Sequence, residues 1–256
     1  MPVLIAARAS DLDLVRPLAR RLRADGGEVR CYLDTDDRAL REMGCKIAVG
    51  ALDDAWNLEA ALTNVHTFVP IMADPFEVTG EAALAQLRTF GLAAAQAGAE
   101  ADLAQTILPL PSLPPGHPIE ATVRDVEAAF LRGTKPLCRL RTGYLWGGER
   151  PLLGALRGAL RGALRGAWAS GAELPEGVCL SILEVRDWVA TLAAADDREG
   201  VDGAWELGGD VVPLVDLLER LDMDGPVLPL SPWALALLAE DLIVGSAAAE
   251  EFGVSP

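Results

Sequence analysis

Short apolar runs alternate with amphipathic segments through the first half of the chain. Residues 3–7, 28–33, 46–49, 66–71 and 105–110 are rich in apolar and β-branched side chains and bounded by polar, Gly or Pro residues, so they read as strands. The segment after the first run has helical spacing, with Leu14, Leu18 and Leu22 on one face and Arg16, Arg20, Arg21 and Arg23 largely outside it. Ser10, Asp11 or Asp13 would cap that helix, Pro17 requires a place near its first turn, and Gly26-Gly27 closes it. Further helices are predicted around Leu58, Ala61 and Leu62, over residues 80–97, and over 120–132. Strands that alternate with helices at this spacing form βαβ units with right-handed crossovers and a parallel sheet.

The second half is less regular. A proline-rich loop occupies residues 111–118, and a sixth strand is predicted over 136–145. Residues 154–165 then repeat Gly-Ala-Leu-Arg three times. As a helix this places Arg157, Arg161 and Arg165 along one side, either as a solvated segment made by duplication or as an assembly surface for an acidic partner. Its glycines would each lower helix stability by about 1 kcal/mol. Beyond it lie a strand at 179–183, a helix at 184–195, a short strand at 203–207, helices at 213–221 and 232–244, and an Ala- and acid-rich tail expected to fray. The fold class is therefore α/β: a doubly wound parallel sheet in residues 1–147 and a smaller α/β lobe in 148–256, packed as one unit.

Composition narrows the functional classes. A chain of 256 residues, 51% hydrophobic, can bury a full core. Its formal charge of −16 argues against nucleic acid as a partner, because phosphate binding draws on surplus Lys and Arg. The charge is uneven: fourteen acidic residues follow position 195 against Arg198 and Arg220 alone. Only Lys46 and Lys135 are lysines. Cys31, Cys45, Cys138 and Cys179 are far apart, show no metal-ligand spacing, and are expected as buried free thiols. No run of eighteen apolar residues occurs, so a soluble, cytoplasmic protein without membrane contact is expected.

Candidate chemistry starts at the first strand-to-helix turn, where dinucleotide folds hold a pyrophosphate on a glycine-rich loop. This turn has no glycine. Ala7, Arg8 and Ser10 are its candidate cofactor contacts, and Asp11 and Asp13 add negative charge. Asp34, at the end of the second strand, would either accept ribose hydroxyls, favouring NAD, or cap the next short helix; capping is the preferred reading. Arg8 would instead favour NADP through a 2′-phosphate. Ser112 and His117 follow the fifth strand, at the sheet edge where such folds bind ligands, and are weak catalytic candidates without a nucleophile elbow around them. No metal constellation is present in the sequence.

The order of these pieces resembles the atypical and extended short-chain dehydrogenase/reductases, in particular the NmrA-like group. Gly50-Ala51-Leu52-Asp53-Asp54 resembles the family's Gly-Asp-Leu-x-Asp turn, and Leu140-Arg141-Thr142-Gly143 its Leu-Arg-Pro-Gly strand. Val185-Arg186-Asp187-Trp188-Val189-Ala190 and Trp205-Glu206-Leu207-Gly208 are similar to landmarks of its smaller lobe. The resemblance implies a Rossmann-type fold and NAD or NADP as cofactor, with Ala51 and Leu52 at the adenine. It also exposes departures. The family's three glycines fall on Ala7, Ser10 and Asp13, and Ala51 replaces the aspartate that would recognise adenine. No Tyr-x-x-x-Lys occurs, and its two positions fall on Ile119 and Val123. The expectation is a noncatalytic protein acting by binding or regulation, with dinucleotide affinity weakened or lost. The alternatives are an NAD(P)-dependent oxidoreductase or isomerase with atypical contacts, and an assembly subunit that uses the Arg-rich repeat.

Overall fold

A computed structural model describes residues 1–72, 80–134, 136–147, 177–213, 216 and 241–254. The Gly-Ala-Leu-Arg repeat lies outside them, as does nearly all of the two predicted helices at 213–221 and 232–244. The strands are β1 (Pro2–Ala7), β2 (Glu28–Leu33), β3 (Lys46–Val49), β4 (Thr67–Pro70), β5 (Gln105–Pro111), β6 (Leu137–Thr142), β7 (Tyr144–Trp146), β8 (Cys179–Glu184), β9 (Gly203–Leu207) and β10 (Asp210–Pro213). Seven of them form the main sheet, in the order β3-β2-β1-β4-β5-β6-β9. Every pairing in it is parallel. The order reverses between β1 and β4, which makes the crevice outside their carboxyl ends the expected ligand position. A second sheet has the order β10-β8-β7.

Helices cover both faces of the main sheet. On one, α1 (Leu12–Ala24), α2 (Arg38–Glu42), α6 (Val185–Asp196) and α7 (Ala247–Phe252) contribute Leu14, Leu18, Leu40, Trp188 and Phe252 to a core under β1, β2 and β6. On the other, α3 (Ala55–Ala61), α4 (Glu81–Glu100) and α5 (Glu120–Gly133) bury Leu58, Phe90, Val126 and Phe130 against β1, β4 and β5. Gly91 lets α4 and α5 approach, since a Cβ there would lie 2.5 Å from a Val126 methyl. Buried Gln105 ties α6 to the amino end of β5 by donating to the carbonyls of Ala195 and Asp196 at 3.2 Å.

Four expectations are corrected. The helix α1 starts after Asp11, one of the three expected cap positions, but Pro17 falls in its second turn rather than its first, held by the burial of Leu14, Val15, Leu18, Ala19 and Leu22. The predicted sixth strand breaks at Gly143 into β6 and β7, because the Ser181 carbonyl of β8 passes 2.7 Å from where a Gly143 Cβ would sit. Pro213 ends β10 instead of opening a helix, and Leu242 bridges Leu180 rather than ending one. The tail does not fray, since α7 buries Ala248, Ala249 and Phe252.

Candidate functional site

The end of β1 sets the site. After buried Ala7 the chain tightens into a 3-10 turn over Ala9–Asp11, with the Asp11 amide donating to the Arg8 carbonyl at 3.0 Å. Asp11 is the residue that precedes α1, and it is fully buried against Arg8, whose Nε lies 3.2 Å from its Oδ2. Arg8 Nη2 is buried without a hydrogen-bond acceptor among the described residues. Asp13 stands in the first turn of α1, adding an anion at the positive end of the helix dipole.

Asp34 reaches back to this turn. Its Oδ1 accepts the Ala9 amide at 2.8 Å, so it does not cap the following helix. That task falls to Asp37, whose carboxylate accepts the Leu40 amide at 2.8 Å and receives Arg16 Nη2 at 2.6 Å. The geometry of the chain explains the exchange: Asp37 has the extended backbone of a cap residue at the start of α2, while Asp34 still sits at the end of the strand facing β1.

The turn after β3 forms the opposite wall. Gly50 is required there, because a Cβ would lie 2.3 Å from the Tyr32 hydroxyl, which donates to the Ala51 carbonyl at 3.1 Å. Asp54 caps α3 by accepting the Asn57 amide at 3.1 Å. Burial pushes the Tyr32 phenol above its ordinary range, and the nearby Asp54 and Asp53 carboxylates add to the effect.

Between these walls lies a cavity of about 220 Å³ lined by Arg8, Asp34, Leu52, Asp53, Gln86, Thr89 and Phe90. Three of the six residues singled out in the sequence, Arg8, Asp34 and Leu52, meet in it. Ala7 is enclosed in β1, while Ser10 and Ala51 are exposed on the turns beside it. Asp53, Gln86, Thr89 and Phe90 were not foreseen. The last three share one stripe of α4 at helical spacing, a signal present in the sequence without any indication of which way the helix faces.

At the other end of the crevice, Ile119 and Val123 are buried in the apolar core with Leu110 and Phe130. The Ser112 amide donates to the Thr142 carbonyl at 2.8 Å. Buried His117 accepts the Ile119 amide on Nδ1 at 3.2 Å, and Glu120 accepts the Gly116 amide at 2.9 Å, so these side chains order the loop that leads into α5. Among the described residues no group of three or more His, Cys, Asp or Glu could hold a metal ion. None of their helices is long and apolar enough to cross a membrane.

No protein-family profile matches the chain, and no curated protein matches it in sequence. Solved structures do match it in shape. UDP-glucose 4-epimerase of Thermus thermophilus, in complex with NAD, superimposes with a TM-score of 0.73 at 16% identity, over 100% of this chain and 94% of that one. The chain shares that fold. The dTDP-glucose 4,6-dehydratase DesIV of Streptomyces venezuelae, with NAD and TYD bound, gives a TM-score of 0.73 at 15% identity, over 100% and 92%. The Bordetella bronchiseptica enzyme WbmG, in complex with NAD and UDP, gives 0.69 at 17%, over 98% and 87%. The seven-stranded parallel sheet flanked by helices is thus the Rossmann-like architecture of these enzymes.

Proposed function

We propose that this chain is a Rossmann-fold protein of the atypical short-chain dehydrogenase/reductase type, NmrA-like in its landmarks, which acts by binding or regulation rather than by hydride transfer. The observation that carries this reading is the burial of Ile119 and Val123 in the core, at the positions where the resemblance implies tyrosine and lysine. Two apolar side chains supply no acid or base. Tyr32 does not stand at those positions: its hydroxyl donates to the Ala51 carbonyl at 3.1 Å, in the turn after β3.

The first turn supports weakened cofactor binding. A dinucleotide diphosphate needs free amides at the start of α1, and here the Ala9 amide is held by Asp34 and the Asp11 amide by the Arg8 carbonyl. Asp13 adds a carboxylate in the first turn of α1, where the diphosphate charge would be drawn, while Asp11 is buried in its pair with Arg8. A carboxylate about 4 Å from a phosphate charge repels it by about 4 kcal/mol at an effective dielectric constant of about 20. The turn therefore does not fit the diphosphate of NAD or NADP. The cavity beside Arg8, Asp34 and Leu52 is the retained binding feature, at the sheet edge where this architecture takes ligands.

That same cavity also supports a second reading, an NAD(P)-dependent oxidoreductase or isomerase with atypical contacts, since the chain shares the fold of structures that contain NAD. Cofactor titration separates the two. In the proposed reading, thermal shift and tryptophan fluorescence show no response of the purified chain to millimolar NADH or NADPH. Turnover of either by the pure protein, lost on substitution within residues 7–13, overturns it.

A further inference from the structure

Two of the four cysteines meet, although they are fourteen positions apart in the sequence. Cys31 lies in the middle of β2, and the parallel register pairs it with Ile47 of β3. Cys45 stands two residues before Ile47, so the alternation of side chains puts both thiols on the face covered by α1 and α2. There they share one apolar cluster with Leu22, Val29 and Leu40. The two side chains are thus diagonal neighbours across β2 and β3 in that cluster.

The pair is asymmetric. Cys31 is fully enclosed, whereas Cys45 retains 7% exposure between the exposed residues Gly44 and Lys46. β3 is the outermost strand of the sheet, so the approach to Cys45 is not blocked by another strand of that sheet. Arg23 lies over this turn, with Nη2 at 3.2 Å from where a Gly44 Cβ would sit. The Cys31 hydrogen bond and the Arg23 charge hold the Cys45 thiol below its ordinary range, while that contact and burial push Cys31 up. A depressed thiol that keeps some exposure, beside a fully enclosed partner, is the arrangement of an attacking and a resolving cysteine.

We propose that Cys31 and Cys45 are a redox-modification site that closes to an intramolecular disulfide in response to low-molecular-weight disulfides such as oxidised glutathione. The Cys45 thiolate attacks one sulfur of the oxidant, forming a mixed disulfide and releasing one glutathione thiolate. Cys31 gives up its proton and attacks the Cys45 sulfur, forming the Cys31–Cys45 bond and releasing the second glutathione thiolate. The two cysteines are oxidised by two electrons and the oxidant becomes two thiols. Gly44, with φ +81°, and the outer position of β3 give the Cys45 turn the freedom to close the bond.

The other cysteines make the test selective. Cys179 is the more exposed thiol, with Sγ donating to the Gly177 carbonyl at 3.7 Å, and exposure alone would direct modification there. Cys138 is enclosed in β6 and pushed up to about 12 by burial, so its protection reports that the protein stays folded. The reduced full chain is incubated with oxidised glutathione, free thiols are alkylated, and tryptic peptides are mapped by mass spectrometry. Trypsin separates Cys31, on residues 31–38, from Cys45, on residues 42–46. The expected result is a crosslink between these two peptides that dithiothreitol reverses, with Cys138 unmodified. Cys31→Ser should then accumulate glutathione on Cys45. The proposal is overturned if Cys179 is modified while Cys31 and Cys45 are recovered alkylated, or if the crosslink forms only when Cys138 has also reacted. Mapping of the unsubstituted chain decides the matter even if Cys31→Ser does not fold.

Discussion

The Asp34 carboxylate accepts the Ala9 amide at 2.8 Å, bridging the carboxyl ends of the two strands that frame the cavity. A side chain that could meet a ligand hydroxyl thus also orders the turn it faces. Asp34→Ala removes the acceptor of that amide, and Tm should fall by a few degrees in a thermal melt. Asp34→Asn keeps an oxygen at the same reach and should restore most of the loss. Equal melting of the two variants would mean that the bond does not hold the turn.

The positions of the missing acid–base pair lead to a second prediction. Ile119 is fully enclosed and Val123 is 5% exposed, both among apolar neighbours. Val123→Lys forces an ammonium group into that core, where it must either deprotonate or open the packing. Urea unfolding should give a loss of about 3 kcal/mol or more, and adding Ile119→Tyr should not recover it. A stable double variant would place this helix face at the crevice instead of in the core.

How legible these features were follows from the range of the interactions behind them. Residues 28–33 and 46–49 were readable as strands because their own side chains state the pattern, and β2 and β3 have those bounds. The Arg8, Asp34 and Leu52 contribution to the cavity was readable for a related reason: each follows a predicted strand. Gln86, Thr89 and Phe90 were not, because the rotation of α4 is fixed by packing such as Gly91 on Val126. The break at Gly143 depends on the Ser181 backbone, 38 residues away in sequence, and no local pattern encodes that approach. The Asp34 and Asp37 roles are separated by strand register, which a run of Asp-Thr-Asp-Asp does not specify.

Acid stability should report the Arg16–Asp37 pair. The Arg16 guanidinium holds the Asp37 carboxyl below its ordinary range, so the folded state binds that proton less readily than the unfolded chain does. The resulting stability is fully present above the unfolded pKa of about 3.9 and is lost as pH falls through the lower folded value. Arg16→Met should cost about 1–2 kcal/mol at neutral pH and give a shallower decline on acidification. Parallel stability–pH curves for the two proteins below about pH 5 would remove this pair as a source of acid sensitivity.

The carboxyl-terminal helix supplies the last prediction, because two kinds of contact compete to explain its docking. Phe252 is 5% exposed and meets Trp205 edge-on, with ring centroids 5.5 Å apart. Arg198 lies over the same ring at 5.3 Å and pairs with Glu251 at 3.1 Å. Arg198 and Glu251 are each roughly half exposed, so solvent screens the pair and its contribution should stay below about 1 kcal/mol. Cation–π attraction at an exposed site adds about 0.5–1 kcal/mol. Deleting the ring itself removes buried area and leaves a cavity, which costs about 3–5 kcal/mol for Phe→Ala. Phe252→Ala should therefore destabilise the chain several times more than Arg198→Ala in urea unfolding, and Phe252→Leu should recover much of the difference. If Arg198→Ala proves as costly as Phe252→Ala, charge rather than burial seats the helix.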